Sequence, residues 1–164
     1  MLGATALTAL GSTAAFTILG SLPAGANRLP EGWTLKETRG AADFASLADG
    51  GTTALRLRSS RTSFGLERSI DVDPYQYPVL TWQWKVTRLP AGGDFRRSST
   101  DDQAAQVLVA FADRRILSYI WDSTAPRGTM QSTLSMLFLH VYAVVCRSGS
   151  GEMNQWISES RNLV

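Results

Sequence analysis

Alternation of apolar and polar positions marks the segment 80–122 as three β-strands. From Leu80 to Val86 every second residue is apolar, so one face of this strand is predicted to be buried and the other wet. Val107 to Phe111 is apolar throughout, which predicts a central strand covered on both faces. Ile116 to Asp122 forms the third strand. The connections are too short to hold crossover helices, so the pairing is expected to be antiparallel.

Short strand-like segments recur along the rest of the chain, separated by turn residues. They cover residues 33–38, 54–58, 64–70, 134–147 and 155–163, and the fourth of these is either one long strand or a bent pair of strands. Asp49-Gly50-Gly51 predicts a turn ahead of the second of these. No stretch combines a sustained helical period with start and stop signals. The sequence therefore predicts an all-β protein, built as a single antiparallel β-sandwich with a jelly-roll-like arrangement.

The N-terminal segment has the composition of an export signal. Residues 1–26 carry no charged side chain and end in Ala24-Gly25-Ala26, the small-x-small spacing of a signal peptidase site. We expect 1–26 to be a signal peptide and 27–164 to be one β-sandwich domain, exported to the periplasm or secreted. No basic residue precedes Arg28, so the positively charged start of a signal is missing and the true start is expected upstream of Met1. The alternative is an uncleaved membrane anchor, although its glycines and threonines make the segment weakly apolar. Membrane contact is expected only through the signal before cleavage.

Charge and composition exclude several function classes. The formal charge is +2 and the basic residues form no run, so nucleic acid is not an expected partner. The sequence contains no phosphate loop, no dinucleotide fingerprint and no GxSxG elbow. His140 and Cys146, each the single residue of its type, would lie about 20 Å apart along an extended strand, too far for a catalytic dyad. A zinc site would have to be mostly carboxylate.

The candidate site residues lie in the connection after the first of the three strands and at the end of the third. They are Asp94, Arg96, Arg97, Asp101, Asp102, Trp121 and Asp122. Loop carboxylates can bind a structural Ca²⁺, and no other cofactor is expected. Two of them can instead act as the acid and base of a glycosidase, although Asp101 and Asp102 would face opposite ways in a strand.

Two further interpretations of the same residues stay open. Arg96 and Arg97 can bridge the carboxylates in an internal salt network that only shapes the loop. Alternatively, Trp121 beside Asp122 can offer a glycan a stacking face next to a hydrogen-bond acceptor. Trp82 and Trp84 share the apolar strand face, so they are expected in the core. The aromatic residues left for stacking are then Tyr75, Tyr77, Tyr119 and Trp121.

Several sequence blocks together resemble a secreted bacterial family known as domain of unknown function 3047. The blocks are PEGW, ASLADGGTTALRLRS with SFGLER, DVDPYQYPVLTWQWKV, GGDFRRSSTDDQAAQVLVAF, YIWD, VVCRSG and QWISESRN. The resemblance covers the chain from about Leu29 onward and implies a jelly-roll β-sandwich with no established activity. Family members continue beyond Arg161-Asn162 into an acidic tail, so truncation at the C-terminus is expected here. Residues 129–140 follow the family less closely, and Cys146 replaces a typical aliphatic residue.

Three functions are compatible with these observations. The first is a non-catalytic exported β-sandwich that binds a glycan or another envelope component through the candidate site residues. The second is a hydrolase or lyase that uses an aspartate pair from the same loops. The third is a structural or assembly module of the cell envelope whose polar cluster is purely internal. The first is our working hypothesis, and the oligomeric state is left open.

Overall fold

The computed structural model describes the backbone of residues 2–10 and all atoms of residues 15–20, 22, 25, 27–134 and 139–164. Every regular element in this part of the chain is a β-strand, which confirms the all-β prediction. The strands are β1 (Leu2–Leu10), β2 (Ala15–Thr17), β3 (Thr34–Arg39), β4 (Asp43–Asp49), β5 (Thr52–Arg58), β6 (Ser63–Glu67), β7 (Val79–Trp84), β8 (Ala105–Ala110), β9 (Arg115–Asp122), β10 (Met130–Leu134), β11 (His140–Ser148) and β12 (Ile157–Asn162). Over the same residues, nothing helical is long and apolar enough to cross a membrane.

The chain divides into two compact units. The first comprises Met1–Lys85 with Trp156–Val164, and the second comprises Val86–Gln155. The first unit contains a six-stranded sheet in the order β12-β7-β1-β5-β4, with β2 paired to β1, and a separate two-stranded sheet of β3 and β6. The second unit contains a four-stranded sheet in the order β10-β11-β9-β8.

Strand β7 contributes three buried side chains to the core of the first unit. Its burial alternates as the sequence pattern predicts, with Leu80, Trp82 and Trp84 buried and the residues between them partly exposed. The rings of Trp82 and Trp84 make an edge-to-face contact at 5.5 Å between centroids. Such aromatic pairs add to the stabilisation that comes from area burial. The prediction that both tryptophans belong to the core is therefore confirmed.

Strands β4 and β5 form a tight hairpin at the predicted turn. Asp49 pairs with Thr52, so Gly50 and Gly51 make a two-residue loop, and both have positive φ angles, 61° and 83°. A two-residue hairpin of this kind requires left-handed backbone at both positions, which glycine adopts at no steric cost. The sequence pattern predicted this turn but not the strand β4 that precedes it.

The N-terminal segment contributes strand β1 to the first unit. β1 pairs antiparallel with β7 over most of its length and with β5 at Leu2. Ala24 and Ala26 of the expected cleavage site lie outside the described residues. Removal of residues 1–26, and the assignment of residues 27–164 to one domain, stay predictions.

The four-stranded sheet of the second unit departs from the expected arrangement in two ways. β8 and β9 pair antiparallel as predicted, but β7 belongs to the other sheet and pairs with neither. β9 and β11 are parallel. After β9 the chain forms β10 at the edge of the sheet and then returns as β11, which lies between β10 and β9. Over 134–147, where the sequence predicts one long strand or a bent pair of strands, the structure has the last residue of β10 and most of β11. Residues 135–138 of that prediction lie outside the described residues.

Strand β8 lies at an edge of its sheet, so the prediction of a central strand over Val107 to Phe111 is wrong. Val107 is buried, whereas Leu108 next to it is 57% exposed. The strand covered on both faces is β9, whose residues from Ser118 to Asp122 are all buried. The apolar run therefore correctly predicted a strand of this sheet, but the strand that is buried on both faces is β9 and not β8.

Candidate functional site

All seven candidate site residues lie in the second unit, on the loop before β8 and at the end of β9. We call residues 90–102 the acidic loop. It precedes strand β8, which begins at Ala105. Asp122, which ends β9, and the residues 123–124 after it are hydrogen-bonded to the acidic loop at Phe95, Pro90 and Gly93. The hydrogen bonds between these two segments therefore determine the geometry of the site.

Asp122 joins the acidic loop to the turn after β9. Its side chain is fully buried, and one carboxylate oxygen accepts hydrogen bonds from the backbone N–H groups of Thr124 at 2.8 Å and Ala125 at 2.7 Å. The other oxygen accepts the N–H of Phe95 at 2.9 Å. An aspartate two and three residues before backbone donors is a common turn-capping arrangement. Here the same carboxylate also reaches across 27 residues of sequence and fixes the acidic loop.

Asp94 is the second buried carboxylate, and arginine occupies both of its oxygens. Arg96 donates from Nε to one oxygen at 2.8 Å and from Nη2 to the other at 2.7 Å, a bidentate ion pair. Its backbone N–H adds a third bond at 3.1 Å, and Nε of Arg97 lies 3.9 Å away. These contacts, with the Arg96 side chain first among them, lower the pKa of Asp94 to about 2. Hydrogen bonding to Asp94 in turn raises the pKa of Arg96.

Backbone hydrogen bonds close the acidic loop on itself. The N–H of Asp94 donates to the carbonyl of Thr100 at 2.7 Å, and the Thr100 hydroxyl donates back to the carbonyl of Asp94 at 3.2 Å. The N–H of Arg97 binds the Asp94 carbonyl at 3.1 Å. Gly93 is required at the base of the loop, because a Cβ there would overlap the carbonyl oxygen of Asp102. The loop is therefore a compact turn and not an open coil.

Phe95 anchors the loop by apolar contact. Its side chain is buried in a cluster with Ile120, Ala125 and Val145. Its backbone N–H is the one that Asp122 binds, so the apolar and polar anchors act at the same residue. Phe95 was not among the predicted site residues. The signal that could have found it is its position as the single large apolar residue between charged neighbours on both sides.

The outer part of the acidic loop carries charge at the surface. The Arg97 side chain is 72% exposed, and Asp101 and Asp102 are exposed as well. Asp101 accepts a hydrogen bond from the amide of Gln103. The site thus combines two buried anchoring carboxylates, Asp94 and Asp122, with the exposed side chains of Arg97, Asp101 and Asp102.

Trp121 does not offer a stacking face. Its side chain is fully buried, and its indole N–H donates to the carbonyl of Gly149 at 3.1 Å. The expected platform beside Asp122 is therefore wrong, because both residues lie within the structure and not at its surface. Tyr119 is buried too, whereas Tyr75 in the first unit is 78% exposed.

The described residues contain no group of three or more His, Cys, Asp or Glu side chains placed to hold a metal ion. Cys146 is buried, and His140 is exposed on β11.

The chain belongs to the family described as protein of unknown function (DUF3047), whose model matches residues 31–164. This match confirms the family resemblance of the sequence blocks. No curated protein and no solved structure showed significant similarity to the chain. The family match begins after the expected signal segment, and it includes the acidic loop and the Trp121-Asp122 strand end.

Proposed function

We propose that this protein is a non-catalytic β-domain that binds an envelope ligand, with glycans as the expected class, through the outer residues of the acidic loop. The observation that carries the proposal is the Asp122 carboxylate, which takes three backbone N–H groups and so holds the loop in one shape. A loop held in this way presents Arg97, Asp101 and Asp102 in fixed positions. Binding groups that are fixed beforehand lose less conformational entropy when a ligand arrives.

Catalysis by the aspartate pair is the less favoured alternative. A glycosidase needs one carboxyl group with a raised pKa to protonate the leaving group. The pKa of Asp94 moves the other way, to about 2, because Arg96 stabilises the carboxylate. The oxygens of Asp122 are engaged by backbone donors and are buried, so a substrate would have to displace the bonds that hold the loop.

A structural or assembly module is the second candidate function, and one observation favours it. The contacts of Asp94 with Arg96 and of Asp122 with Phe95 are all internal, as expected for a polar cluster that only shapes a loop. This alternative shares the anchoring role of the two buried carboxylates. It differs in assigning no ligand to the exposed charges.

Three broader features belong to the same proposal. Export to the periplasm or outside the cell is supported by the uncharged segment 1–26 and its small-x-small site. A single jelly-roll-like sandwich is supported by the all-β content. A structural Ca²⁺ would have to bind at the outer carboxylates, Asp101 and Asp102, because those of Asp94 and Asp122 already have donors.

The test is a thermal-shift screen of the protein against Ca²⁺, other divalent ions and a panel of cell-wall and plant glycans. Titration calorimetry on each hit then compares the wild type with Arg97→Ala and Asp102→Ala, and Arg127→Ala serves as an exposed arginine outside the loop. We expect both loop variants to weaken ligand binding while their melting temperatures stay within about 1–2 °C of the wild type, as for other surface changes.

Three outcomes would contradict the proposal. If no member of the panel raises the melting temperature, the structural module is favoured over the binding module. If a hit is found but Arg127→Ala weakens it as much as the loop variants do, the acidic loop is not the site. Turnover of a glycan that disappears in Asp94→Asn would support the hydrolase alternative instead.

A further inference from the structure

Among the described residues, strand β10 pairs only with β11, so its other side forms one edge of the four-stranded sheet. It is the last strand of the order β10-β11-β9-β8, and all five of its residues, Met130 to Leu134, are exposed. Its sequence, MQSTL, contains no charge and no proline. Natural edge strands usually carry lysine, proline or a bulge that prevents pairing with another chain. β10 contains no lysine and no proline, and its pairing with β11 shows no bulge.

The hydrogen-bond register shows which backbone groups face outward. The N–H of Val145 donates to the carbonyl of Thr129, just before β10, so the alternation of an antiparallel ladder turns the groups of Gln131 and Thr133 toward β11. The N–H and C=O groups of Met130, Ser132 and Leu134 then point away from the sheet. Such unpaired groups are a template for another strand.

The exposed apolar side chains of this hairpin share one face. Met130 is 75% exposed, Leu134 is 55% exposed, and Tyr142 on the neighbouring strand is 43% exposed. The pairing of Ser132 with Tyr142 places the side chains of both residues on that face, together with those of Met130 and Leu134. An apolar face beside an open strand edge is typical of an interaction surface.

We propose that β10 pairs antiparallel with β10 of a second copy of this chain, joining two four-stranded sheets edge to edge. An antiparallel pairing centred on Ser132 is self-complementary. It places Met130 opposite Leu134 of the second copy, and Gln131 opposite Thr133. No like charges meet, because β10 has no charged residue. The outward groups of the three residues would form roughly six hydrogen bonds across a two-fold axis.

The size of the contact sets the expected affinity. Stable protein interfaces bury about 1,200–2,000 Å², and a five-residue edge with its flanking side chains lies below that range. We therefore expect a weak dimer with a dissociation constant on the order of tens of micromolar. Sedimentation velocity on the full chain from about 1 μM to about 500 μM covers the transition.

Two variants test the pairing at its centre. Ser132→Pro removes only the outward N–H, since Ser132 does not donate to β11, and we expect it to weaken the dimer about tenfold or more. Ser132→Lys and Ser132→Glu each place like charges opposite one another at the two-fold axis, so each alone is expected to be monomeric. An equimolar mixture of the two is expected to dimerise again, because opposite charges then face each other.

Leu108→Lys is the matched control, because it adds the same charge to β8 at the opposite edge of the sheet and should leave the dimer intact. Circular dichroism checks that each variant is folded. The proposal is overturned if the wild type stays monomeric over the whole concentration range, as it would if β10 served a different protein. It is also overturned if Leu108→Lys abolishes association, or if the mixture of charge variants stays monomeric while both are folded.

Discussion

Replacement of Asp122 tests the anchoring of the acidic loop most sharply. In Asp122→Ala, the N–H groups of Phe95, Thr124 and Ala125 lose their acceptor. The bonds to Phe95 and Ala125 are buried, and a buried donor left without a partner costs about 1–3 kcal/mol. Thr124 is exposed, so water can replace its bond. The expected loss in the free energy of unfolding is therefore about 2–6 kcal/mol.

Asp122→Asn refines the same prediction. Its side-chain oxygen can keep the bonds to Thr124 and Ala125, but its amide group would face the N–H of Phe95, a donor against a donor. One buried donor is then left unpaired, so the expected loss is about 1–3 kcal/mol. The order of stability is wild type, then Asp122→Asn, then Asp122→Ala.

The assay is urea unfolding followed by circular dichroism and tryptophan fluorescence, with equal m values required for the comparison. Asp101→Ala is the control, because this aspartate belongs to the same loop but is exposed, and it should change the free energy of unfolding by less than about 0.5 kcal/mol. If Asp122→Ala destabilises the protein no more than Asp101→Ala does, the anchoring role of Asp122 is wrong.

Three further variants test neighbouring contacts. Asp94→Asn should be less stable than the wild type above pH 4, and the difference should vanish as pH falls toward 2, because the pKa of Asp94 drops from 3.8 to about 2 on folding. Melting temperatures measured across this pH range test the prediction, and a difference that does not depend on pH would contradict it. Gly93→Ala brings a Cβ onto a carbonyl oxygen and should cost about 1–3 kcal/mol in urea unfolding, whereas Gly151→Ala, in open space, should be neutral. Trp121→Ala should cost about 3–5 kcal/mol by the same assay, since the side chain is fully buried, and Tyr75→Ala, at 78% exposure, should cost little. Equal effects of the two glycine variants would contradict the close contact at Gly93, and equal effects of Trp121→Ala and Tyr75→Ala would contradict the burial of Trp121.

The sequence predicted which face of a strand is buried better than it predicted which strands lie beside one another. Alternation along β7 correctly placed Trp82 and Trp84 in the core, because the side-chain period of a strand is a local property. It could not identify the strands that flank β7, which are β12 and β1 and lie far from it in the chain. The interpretation of residues 80–122 as one sheet failed for that reason.

Sequence position was also a poor guide to the exposure of site residues. Trp121 stands at a strand end, where loops and ligand sites gather, yet its indole N–H is bonded to Gly149, 28 residues away. Burial of this kind depends on which distant segment covers a side chain, and a local pattern does not carry that information. Asp94 and Arg96 are only two residues apart in the sequence, and their ion pair was among the alternatives that the sequence predicted.

Strand β4 was missed because its composition is weak. The sequence DFASLAD contains no β-branched residue and begins and ends with aspartate. The strand forms because the Gly50-Gly51 turn folds it back onto β5, with seven consecutive residues in register. Pairing thus overrides a low strand propensity at this point.

Amide hydrogen exchange of the wild-type protein tests the central claim that the acidic loop is held by its buried carboxylates. The N–H groups of Asp94, Phe95 and Thr100 all donate to partners within the loop or to Asp122. We predict that these three amides exchange as slowly as amides of strand β9, so that the loop opens only when the sheet does. Exchange at the rate of an unstructured peptide would contradict the account, because the loop would then be mobile and its exposed charges would have no fixed arrangement.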